Sequence, residues 1–156
     1  MIRPVKLQDV KAIKEIYNEY IVHSVATFET EPLQEEEMFS RITGVAADFP
    51  YFVYEIDNWV VGYCYAYTWK QKRAYKYTLE TTVYVSTEYV GKGLGTLLMQ
   101  RLIDECRQKG YHVLIACVTA GNKSSDSLHL KLGFKQVGLK FSRWLDVIDY
   151  ELLLVE

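Results

Sequence analysis

A glycine-bearing turn between two strand-like segments is the feature that most limits how this chain can fold. Residues 77–85 are rich in Thr, Tyr and Val, and residues 113–118 form a continuous apolar run, typical of a strand covered on both faces. Between them, the turn over 88–95 leads into an amphipathic pattern that ends at Lys109-Gly110 and predicts a helix. Because a strand, a helix and a strand in this order form a parallel pair with a right-handed crossover, the pattern predicts an α/β protein.

The flanking segments complete the predicted order of elements. The pair Asp57-Asn58 predicts a tight β-hairpin, and residues 23–32 break the helical pattern and predict a loop. A helix is expected after Asp9, with an apolar stripe of Val10, Ile13, Tyr17, Tyr20 and Ile21. Further strands are expected over 2–5, 51–56, 59–68, 134–141 and 150–155, and further helices over 33–49 and from Ser124 or Ser125 to 132. No linker or repeat interrupts this order, so we expect one domain over 1–156.

Composition and charge exclude several classes of protein. The 156 residues carry a formal net charge of −2, which argues against a nucleic-acid-binding surface. No apolar run approaches the roughly 18 residues of a membrane helix, and the first residues lack the apolar core of a signal peptide. Cys64, Cys106 and Cys117 form no C-x-x-C pair, which favours reduced thiols over a metal site. We therefore expect a cytoplasmic protein with no nucleic acid, membrane or metal partner.

The glycine turn is also the most informative motif for function. Gly91, Gly93 and Gly95 follow a strand and open a helix, so backbone amides can approach an anion closely and the helix dipole adds positive potential. Lys92 adds a formal charge, and a phosphate or pyrophosphate is the natural ligand. The order of lysine and glycines does not fit a Walker A loop, and the next strand ends at Thr119 without the carboxylate of a dinucleotide-binding fold. A tight turn without a ligand is the alternative.

This motif resembles the cofactor loop of the GNAT superfamily of acetyl-CoA-dependent N-acyltransferases. The pattern of that loop is Q/R-x-x-G-x-G/A, and the residues here are Val90-Gly91-Lys92-Gly93-Leu94-Gly95. Val90 replaces the leading Gln or Arg and removes one side-chain donor to the pyrophosphate. The backbone donors are unchanged, so cofactor binding is expected to be weaker at most.

The resemblance extends to one branch of the superfamily. Segments 28–32, 69–75, 79–85 and 122–129 are similar to phosphinothricin N-acetyltransferase and its close relatives, and matching segments run from near Ile2 to Trp144-Leu145-Asp146. The resemblance implies an α/β fold with a mixed, mostly antiparallel central sheet, splayed between two parallel strands and flanked by about four helices. It also implies a homodimer and no metal.

Acetyl-CoA is the donor that the resemblance implies. It would lie in a V-shaped opening between the strands 77–85 and 113–118, where a strand amide near Val85 would polarise the thioester carbonyl. Asn122 would hydrogen-bond the cofactor arm, or alternatively cap the next helix. The implied cofactor-binding residues are Val83, Tyr84, Val85, Gly91, Lys92, Gly93, Leu94, Gly95, Thr96 and Asn122.

Glu80 and His129 are the predicted catalytic residues. Glu80 lies mid-strand, an unfavourable place for an unpaired charge, and its family position implies a general base for the attacking amine. The alternative is an ion pair with a nearby Lys or Arg. His129 replaces a tyrosine of many GNAT enzymes and could protonate the departing thiolate, hydrogen-bond the sulfur, or be an ordinary half-buried histidine. Cys117 lies in the most apolar strand and is expected to be inert, so acetyl passes directly to nitrogen.

A small-molecule amine is the expected acceptor. Basic groups of the loop 70–76 would hold an anionic carboxylate or phosphinate, with the choice between Lys72 and Arg73 left open. The implied acceptor residues are Phe28, Trp69, Lys72, Arg73, Tyr75 and Tyr77. Two alternative functions are an acetyltransferase for protein or peptide amines and a non-catalytic acyl-CoA-binding domain, which would need the glycine turn but not Glu80.

Overall fold

A mixed β-sheet with helices on both faces organises the chain in the computed structural model, which describes residues 1–141 and 146–155. Its strands are β1 (Ile2–Pro4), β2 (Tyr51–Ile56), β3 (Trp59–Thr68), β4 (Thr78–Val85), β5 (Val113–Thr119), β6 (Lys135–Phe141) and β7 (Asp146–Leu153). Its helices are α1 (Val10–His23), α2 (Glu35–Ala46), α3 (Leu94–Gln108) and α4 (Lys123–Lys131). Trp144 and Leu145, from the last segment of the resemblance, lie outside the described residues.

The pairing of β4 with β5 determines where a site can form. The strand order is β1-β2-β3-β4-β5-β7-β6, and β4–β5 is parallel while the other described pairs are antiparallel. The predicted fold class and the predicted parallel pair joined by a helix are confirmed. Pairing between β4 and β5 runs only from Thr78–Val113 to Glu80–Ile115, whereas β4 stays paired with β3 as far as Val85. Beyond Glu80 the two parallel strands separate and leave a fork in the sheet.

Two hydrophobic clusters cover opposite faces of the sheet. Helices α1 and α2 pack on one face, where Val53 and Tyr63 are buried, and helices α3 and α4 pack on the other. The predicted stripe of α1 needs a correction, because Ile16 is buried while Tyr17 and Tyr20 are only half-buried. The two phenols lie at the rim of the cluster because their hydroxyl groups need hydrogen-bond partners. In the described part of the chain, no helix is long and apolar enough to cross a membrane.

The second helix is shorter than predicted, Glu35–Ala46 instead of 33–49. Asn18 of α1 holds Leu33 outside the helix, since its Oδ1 accepts a hydrogen bond from Leu33 N at 2.8 Å and its Nδ2 donates to Leu33 O at 3.0 Å.

The predicted hairpin between β2 and β3 is confirmed. Both residues of Asp57-Asn58 have positive φ, as a two-residue type I′ turn requires.

Strands β5 and β7 also differ from expectation. The prediction that β5 is covered on both faces is wrong at Cys117, whose side chain is exposed. Alternate side chains of a strand face opposite sides, so the burial of Leu114, Ala116 and Val118 against α3 and α4 leaves Cys117 on the other side. Strand β7 begins four residues earlier than predicted, because it pairs with all of β5 and with β6.

Candidate active site

A cavity of about 570 Å³ occupies the fork between β4 and β5. Its walls come from β4 from Glu80 onward, from β5 from Ala116 onward, from the glycine turn before α3, and from α4. On the side of α1, the wall is completed by Tyr20, Ala26 and Thr27. The cavity therefore lies at the V-shaped opening predicted from the sequence.

The ladder between β3 and β4 directs alternate amides of β4 into this cavity. Ser86 N donates to Val61 O at 2.8 Å. In an antiparallel ladder, the amide of Ser86 and the amide of every second residue before it along β4 therefore point toward β3. The amides of Val83 and Val85 therefore face the β5 side, beyond the last pair between the two parallel strands. On the same edge, Tyr20 Oη donates to Val85 O at 2.6 Å. The fork thus presents main-chain donors to the cavity.

The glycine turn has the conformation of an anion-binding loop. Gly91 and Gly93 have φ of 81° and 82°, which L-residues rarely adopt, and Gly93 is the N-cap of α3. Leu94, Gly95 and Thr96 form the first turn of the helix and line the cavity. Because first-turn amides have no acceptor within their own helix, they can bind an anion such as a phosphate or pyrophosphate.

The charged residues near the turn only partly match the prediction. Lys92 does not line the cavity, and its Nζ lies 4.5 Å from the ring centroid of Tyr89. Lys131 at the end of α4 does line the cavity and supplies a positive charge that the motif did not indicate. All other predicted cofactor residues line the cavity.

Gly95 permits close packing of α3 on α4, since an added Cβ would lie 2.8 Å from Leu128 Cδ1.

Glu80 lies where β4 and β5 separate. It is half-buried, pairs with Tyr67 on one side and Ile115 on the other, and lines the cavity. Among the side chains that the structure describes, none forms a hydrogen bond or ion pair with its carboxylate. The ion-pair alternative therefore finds no partner in this part of the chain, and the carboxylate can accept a proton from a group in the cavity.

Asn122 has one of the two roles that the sequence left open, that of a helix cap, and its contact with the cofactor arm stays a prediction. Its Oδ1 accepts a hydrogen bond from Ser125 N at 3.3 Å, so Asn122 is the N-cap of α4, and the prediction that Ser124 or Ser125 caps this helix is wrong. The same side chain lines the cavity. With Oδ1 engaged in the cap, Nδ2 is the group that can donate to a ligand.

Comparisons with known proteins agree with this geometry. The sequence profile of the acetyltransferase (GNAT) family matches residues 11–134. The chain belongs to this family. One relative of this acetyltransferase is phosphinothricin N-acetyltransferase from Alcaligenes faecalis, 37% identical with 94% of this chain and 79% of the relative covered. Another is L-methionine sulfoximine/L-methionine sulfone acetyltransferase from Salmonella typhimurium, 37% identical with 95% and 91% covered.

A solved structure supports the same assignment for the acetyltransferase. The GNAT superfamily phosphinothricin acetyltransferase from Sinorhizobium meliloti, in complex with AcCoA, matches with a TM-score of 0.92 and 34% identity, covering 98% of this chain and 87% of that one. The predicted family, fold class and acetyl-CoA donor are therefore confirmed. This chain is an N-acetyltransferase.

His129 is a buried residue of the acetyltransferase's cavity wall. Its Nδ1 donates to Ser125 O at 2.7 Å, and its ring stacks on Tyr150 and meets the edge of Phe134. Burial lowers the pKa of the His129 imidazole, and the hydrogen bond to Ser125 opposes this effect. The ring is therefore favoured in its neutral form, with the proton on Nδ1 and a lone pair on Nε2. Whether His129 acts as an acid stays a prediction, and this tautomer does not favour it.

The burial of His129 predicts how stability depends on pH. The pKa of the folded imidazole lies below its ordinary value of about 6.5, so its contribution to stability is complete above that pH and is lost as the pH falls. We expect the difference in unfolding free energy between the wild type and His129→Gln to shrink from pH 7.5 to pH 5.5. Urea unfolding of both proteins at the two pH values measures it. A difference that is constant or larger at pH 5.5 would contradict burial of a neutral ring.

Two predicted acceptor residues of the acetyltransferase line a second cavity. Trp69 and Tyr75 meet edge to face, with ring centroids 5.3 Å apart, and line a space of about 360 Å³. The wall of this cavity includes Ile115, the residue paired with Glu80, so the space adjoins the fork. Lys70 Nζ lies 4.0 Å from the Trp69 ring centroid.

The other predicted acceptor residues line neither of these cavities. Lys72 and Arg73 are exposed in the loop before β4, and Phe28 is 53% exposed in the loop after α1. Tyr77 precedes β4 and stacks on His112, with ring centroids 4.5 Å apart. Of the six predicted acceptor residues, only Trp69 and Tyr75 thus line a cavity that adjoins the fork. Their role in binding the acceptor stays a prediction.

Sequence reasoning missed several residues of the acetyltransferase's cavity. Tyr20 and Thr27 come from α1 and the following loop, and Cys117 and Thr119 come from β5. Cys117 is exposed in the cavity wall instead of buried in the core, and its Sγ donates to Asp149 Oδ1 at 3.3 Å. The period of two along β5 would have placed Cys117 and Thr119 on the face opposite to the core residues. No local signal identifies Tyr20 or Thr27, because distant hydrogen bonds bring them to the cavity.

Proposed function

We propose that this acetyltransferase transfers acetyl from acetyl-CoA to the amine of a small amino-acid-like acceptor, by direct attack while both are bound. The observation that carries the proposal is the continuous cavity, which reaches from the glycine turn before α3 to Glu80 at the fork. The relatives named phosphinothricin N-acetyltransferase and L-methionine sulfoximine/L-methionine sulfone acetyltransferase support an acceptor that combines an amine with an anionic or strongly polar group.

The main chain supplies most of the proposed donor site. The amides from the glycine turn to Thr96 bind the pyrophosphate, and the edge of β4 over Val83 and Val85 runs beside the pantetheine arm. Nδ2 of Asn122 donates to the same arm. An amide near Val85 polarises the thioester carbonyl, and a donor fixed in this way typically lowers the barrier by ~3–4 kcal/mol.

Glu80 is the proposed general base. An aliphatic amine is mostly protonated near neutral pH and must lose that proton before it can attack. The Glu80 carboxylate takes the proton, directly or through one water, and the nitrogen lone pair forms the bond to the acetyl carbon. The nitrogen then carries a positive charge and loses its second proton to water. The carbon–sulfur bond breaks, and the sulfur leaves with its electron pair and takes up a proton from water to become the thiol. No acyl-enzyme forms in this scheme.

We assign His129 to the sulfur side of the cavity. With Nδ1–H donating to Ser125 O, Nε2 can accept a hydrogen bond from the product thiol. A general-acid role would need the imidazolium, which burial disfavours. His129 therefore orients the leaving group in this scheme, and the proton that completes the thiol balances the one that the nitrogen releases to water.

The function is tested by following CoA release with a thiol reagent. Acetyl-CoA is combined separately with phosphinothricin, methionine sulfone, methionine sulfoximine, the common amino acids, polyamines and a short peptide. Selective release with the amino acid analogues supports the proposal. Release only with the peptide would favour an acetyltransferase for peptide amines. Binding of acetyl-CoA without release for any amine would overturn the proposed acceptor class.

The acceptor's anion gives a separate prediction for the basic loop. We expect either Lys72→Gln or Arg73→Gln to raise the KM for methionine sulfone about tenfold or more, because a charge-assisted hydrogen bond is worth roughly 1.5–3 kcal/mol. The same variant should leave the KM for methionine sulfone carboxamide unchanged, since the amide carries no charge. Lys70→Gln is the matched control, because the Lys70 ammonium already lies over Trp69. Equal KM values for all three variants would contradict an anion site in this loop.

The proposal also includes a cytoplasmic homodimer. The cluster that α1 and α2 form on the sheet takes its strand residues from β2, β3 and β4. The same face of β5, β7 and β6 carries Val137 and Leu153, whose side chains are 55% and 63% exposed. A second copy of the chain would bury this apolar surface.

A further inference from the structure

The loop between α1 and α2 crosses the fork on the side of α1, and residues 24–34 are here named the strap. Val25 O accepts a hydrogen bond from Thr119 Oγ1 of β5 at 2.8 Å. Ala26 O accepts one from Tyr84 Oη of β4 at 3.4 Å. Two successive carbonyls of the strap thus bind the two strands that separate at the fork. The strap bridges the gap that the missing β4–β5 pairs leave open.

One side chain of the strap, Glu29, attaches it to both helices. Arg41 of α2 donates from Nη1 to Glu29 Oε2 at 2.9 Å and from Nη2 to Oε1 at 2.5 Å. Tyr17 Oη of α1 donates to Glu29 Oε2 and also lies 2.8 Å from Thr27 Oγ1. The hydrogen bonds from Arg41 hold the pKa of the Glu29 carboxyl below its usual range, so the group is charged. The bidentate contact with Arg41 sets the position of the strap, since it limits both distance and orientation.

The strap closes the end of the cavity that lies opposite the glycine turn. Ala26 and Thr27 line the cavity on the side of α1, whereas the glycine turn lines it at the start of α3, which packs on the other face of the sheet. If the pyrophosphate binds at the glycine turn, as in the proposed function on which this step rests, the acyl end of the donor points through the fork toward the strap. The distance between the strap and the fork then limits the length of the acyl chain.

We propose that Glu29 is a positioning residue that fixes the strap, and that the strap, through Ala26 and Thr27, restricts the acyl donor to short chains. Neither residue needs to touch the reacting amine for this role. The proposal concerns the length of the acyl chain on the donor, so the prediction applies to any acceptor that the enzyme uses. Loosening the strap widens the closed end of the cavity and admits longer acyl groups.

The test compares acyl donors for matched Glu→Gln variants. Glu29→Gln removes the charge that Arg41 binds in the strap, and Glu37→Gln removes the other carboxylate of the same guanidinium, 3.1 Å away on α2. The readout is kcat/KM for acetyl-CoA, propionyl-CoA and butyryl-CoA with one acceptor at saturation. We expect the wild type and Glu37→Gln to prefer acetyl-CoA, and Glu29→Gln to lose about tenfold or more of that preference.

A second pair of variants tests the same strap at its other attachment. Thr119→Val removes the hydroxyl that binds Val25 O at nearly constant volume, and Thr119→Ser keeps it. We expect the preference for acetyl-CoA to weaken in Thr119→Val and to persist in Thr119→Ser. Thermal unfolding confirms that each variant is folded at the assay temperature.

The outcomes separate this inference from the proposed function. A wild type that uses all three donors equally, or folded Glu29→Gln and Thr119→Val variants with the wild-type preference, overturns the inference while acetyl transfer stands. A wild type that transfers acetyl to no amine overturns the proposed function. In that case the Kd values for acetyl-CoA and propionyl-CoA are measured for the wild type and Glu29→Gln. The same ratio of Kd values in both proteins overturns the inference, and a weaker preference for acetyl-CoA in Glu29→Gln supports it.

Discussion

Replacing Glu80 with Gln lowers kcat/KM for acetyl transfer by about 10²–10⁴-fold and leaves the Kd for acetyl-CoA unchanged. Gln keeps the size of the side chain and an oxygen acceptor, but it cannot take up a proton. Glu80 lies at the fork, away from the glycine turn, and the proposed contacts to the donor are mainly main-chain amides. The loss therefore falls on the chemical step, while binding of the donor is preserved.

The pH dependence distinguishes a lost base from a damaged fold. CoA release is measured for the wild type and Glu80→Gln between about pH 7 and 9.5, and the defect should shrink as the pH rises, because more of the acceptor amine is already neutral. Glu36→Gln, on the exposed surface of α2, is the control and should match the wild type. Full turnover in Glu80→Gln at pH 7 would show that another group accepts the proton. Loss of turnover with intact acetyl-CoA binding excludes a non-catalytic acyl-CoA-binding domain.

Replacing Gly93 with Ala weakens acetyl-CoA binding about tenfold or more, whereas Gly110→Ala leaves it unchanged. The two glycines are a matched pair, with φ of 82° and 79° and no atom within 4 Å of an added Cβ. A left-handed conformation costs an alanine about 1–2 kcal/mol at either position. At Gly93 the turn can relieve this strain by a small shift of the first-turn amides of α3. The shift turns these amides away from the proposed position of the pyrophosphate. About 1.4 kcal/mol of lost binding energy corresponds to a tenfold rise in Kd.

Calorimetry of acetyl-CoA binding and thermal unfolding test this pair together. Both variants should lose stability, Gly93→Ala by no more than Gly110→Ala because its turn relieves part of the strain, and only Gly93→Ala should lose affinity. Equal Kd values for the two variants would mean that the glycine turn does not hold the donor. A large loss of affinity in Gly110→Ala would mean that the effect comes from stability instead of geometry.

The parts of this fold that were predictable from sequence are those set by local patterns. The glycine turn between 77–85 and 113–118 indicated the parallel pair, and it also indicated the left-handed turn before α3, since such turns need glycine. Glu80 stood out because a charge in the middle of a strand is unfavourable. The Asp57-Asn58 turn was predictable because a type I′ hairpin selects these residues.

The rest depends on contacts between residues that are far apart in sequence. Leu33 is outside α2 because Asn18, fifteen positions away, binds its backbone. The contacts of Thr119 with Val25 and of Tyr84 with Ala26 span even longer separations. Helical or strand periodicity carries no information about such pairs. The loop over 23–32 was therefore predictable, but neither its position across the fork nor the closed end of the cavity was.

The early separation of β4 and β5 has a consequence for how such enzymes diversify. Where the two strands separate, the donor is proposed to contact peptide groups, and a peptide group is the same whichever residue carries it. Substitutions at Val83 or Val85 that preserve the strand therefore leave donor recognition largely intact. The acceptor, by contrast, is proposed to meet side chains of the loop before β4, which can change freely. A lineage can thus exchange its amine substrate while it inherits the donor site, even when two members share only 37% of their residues.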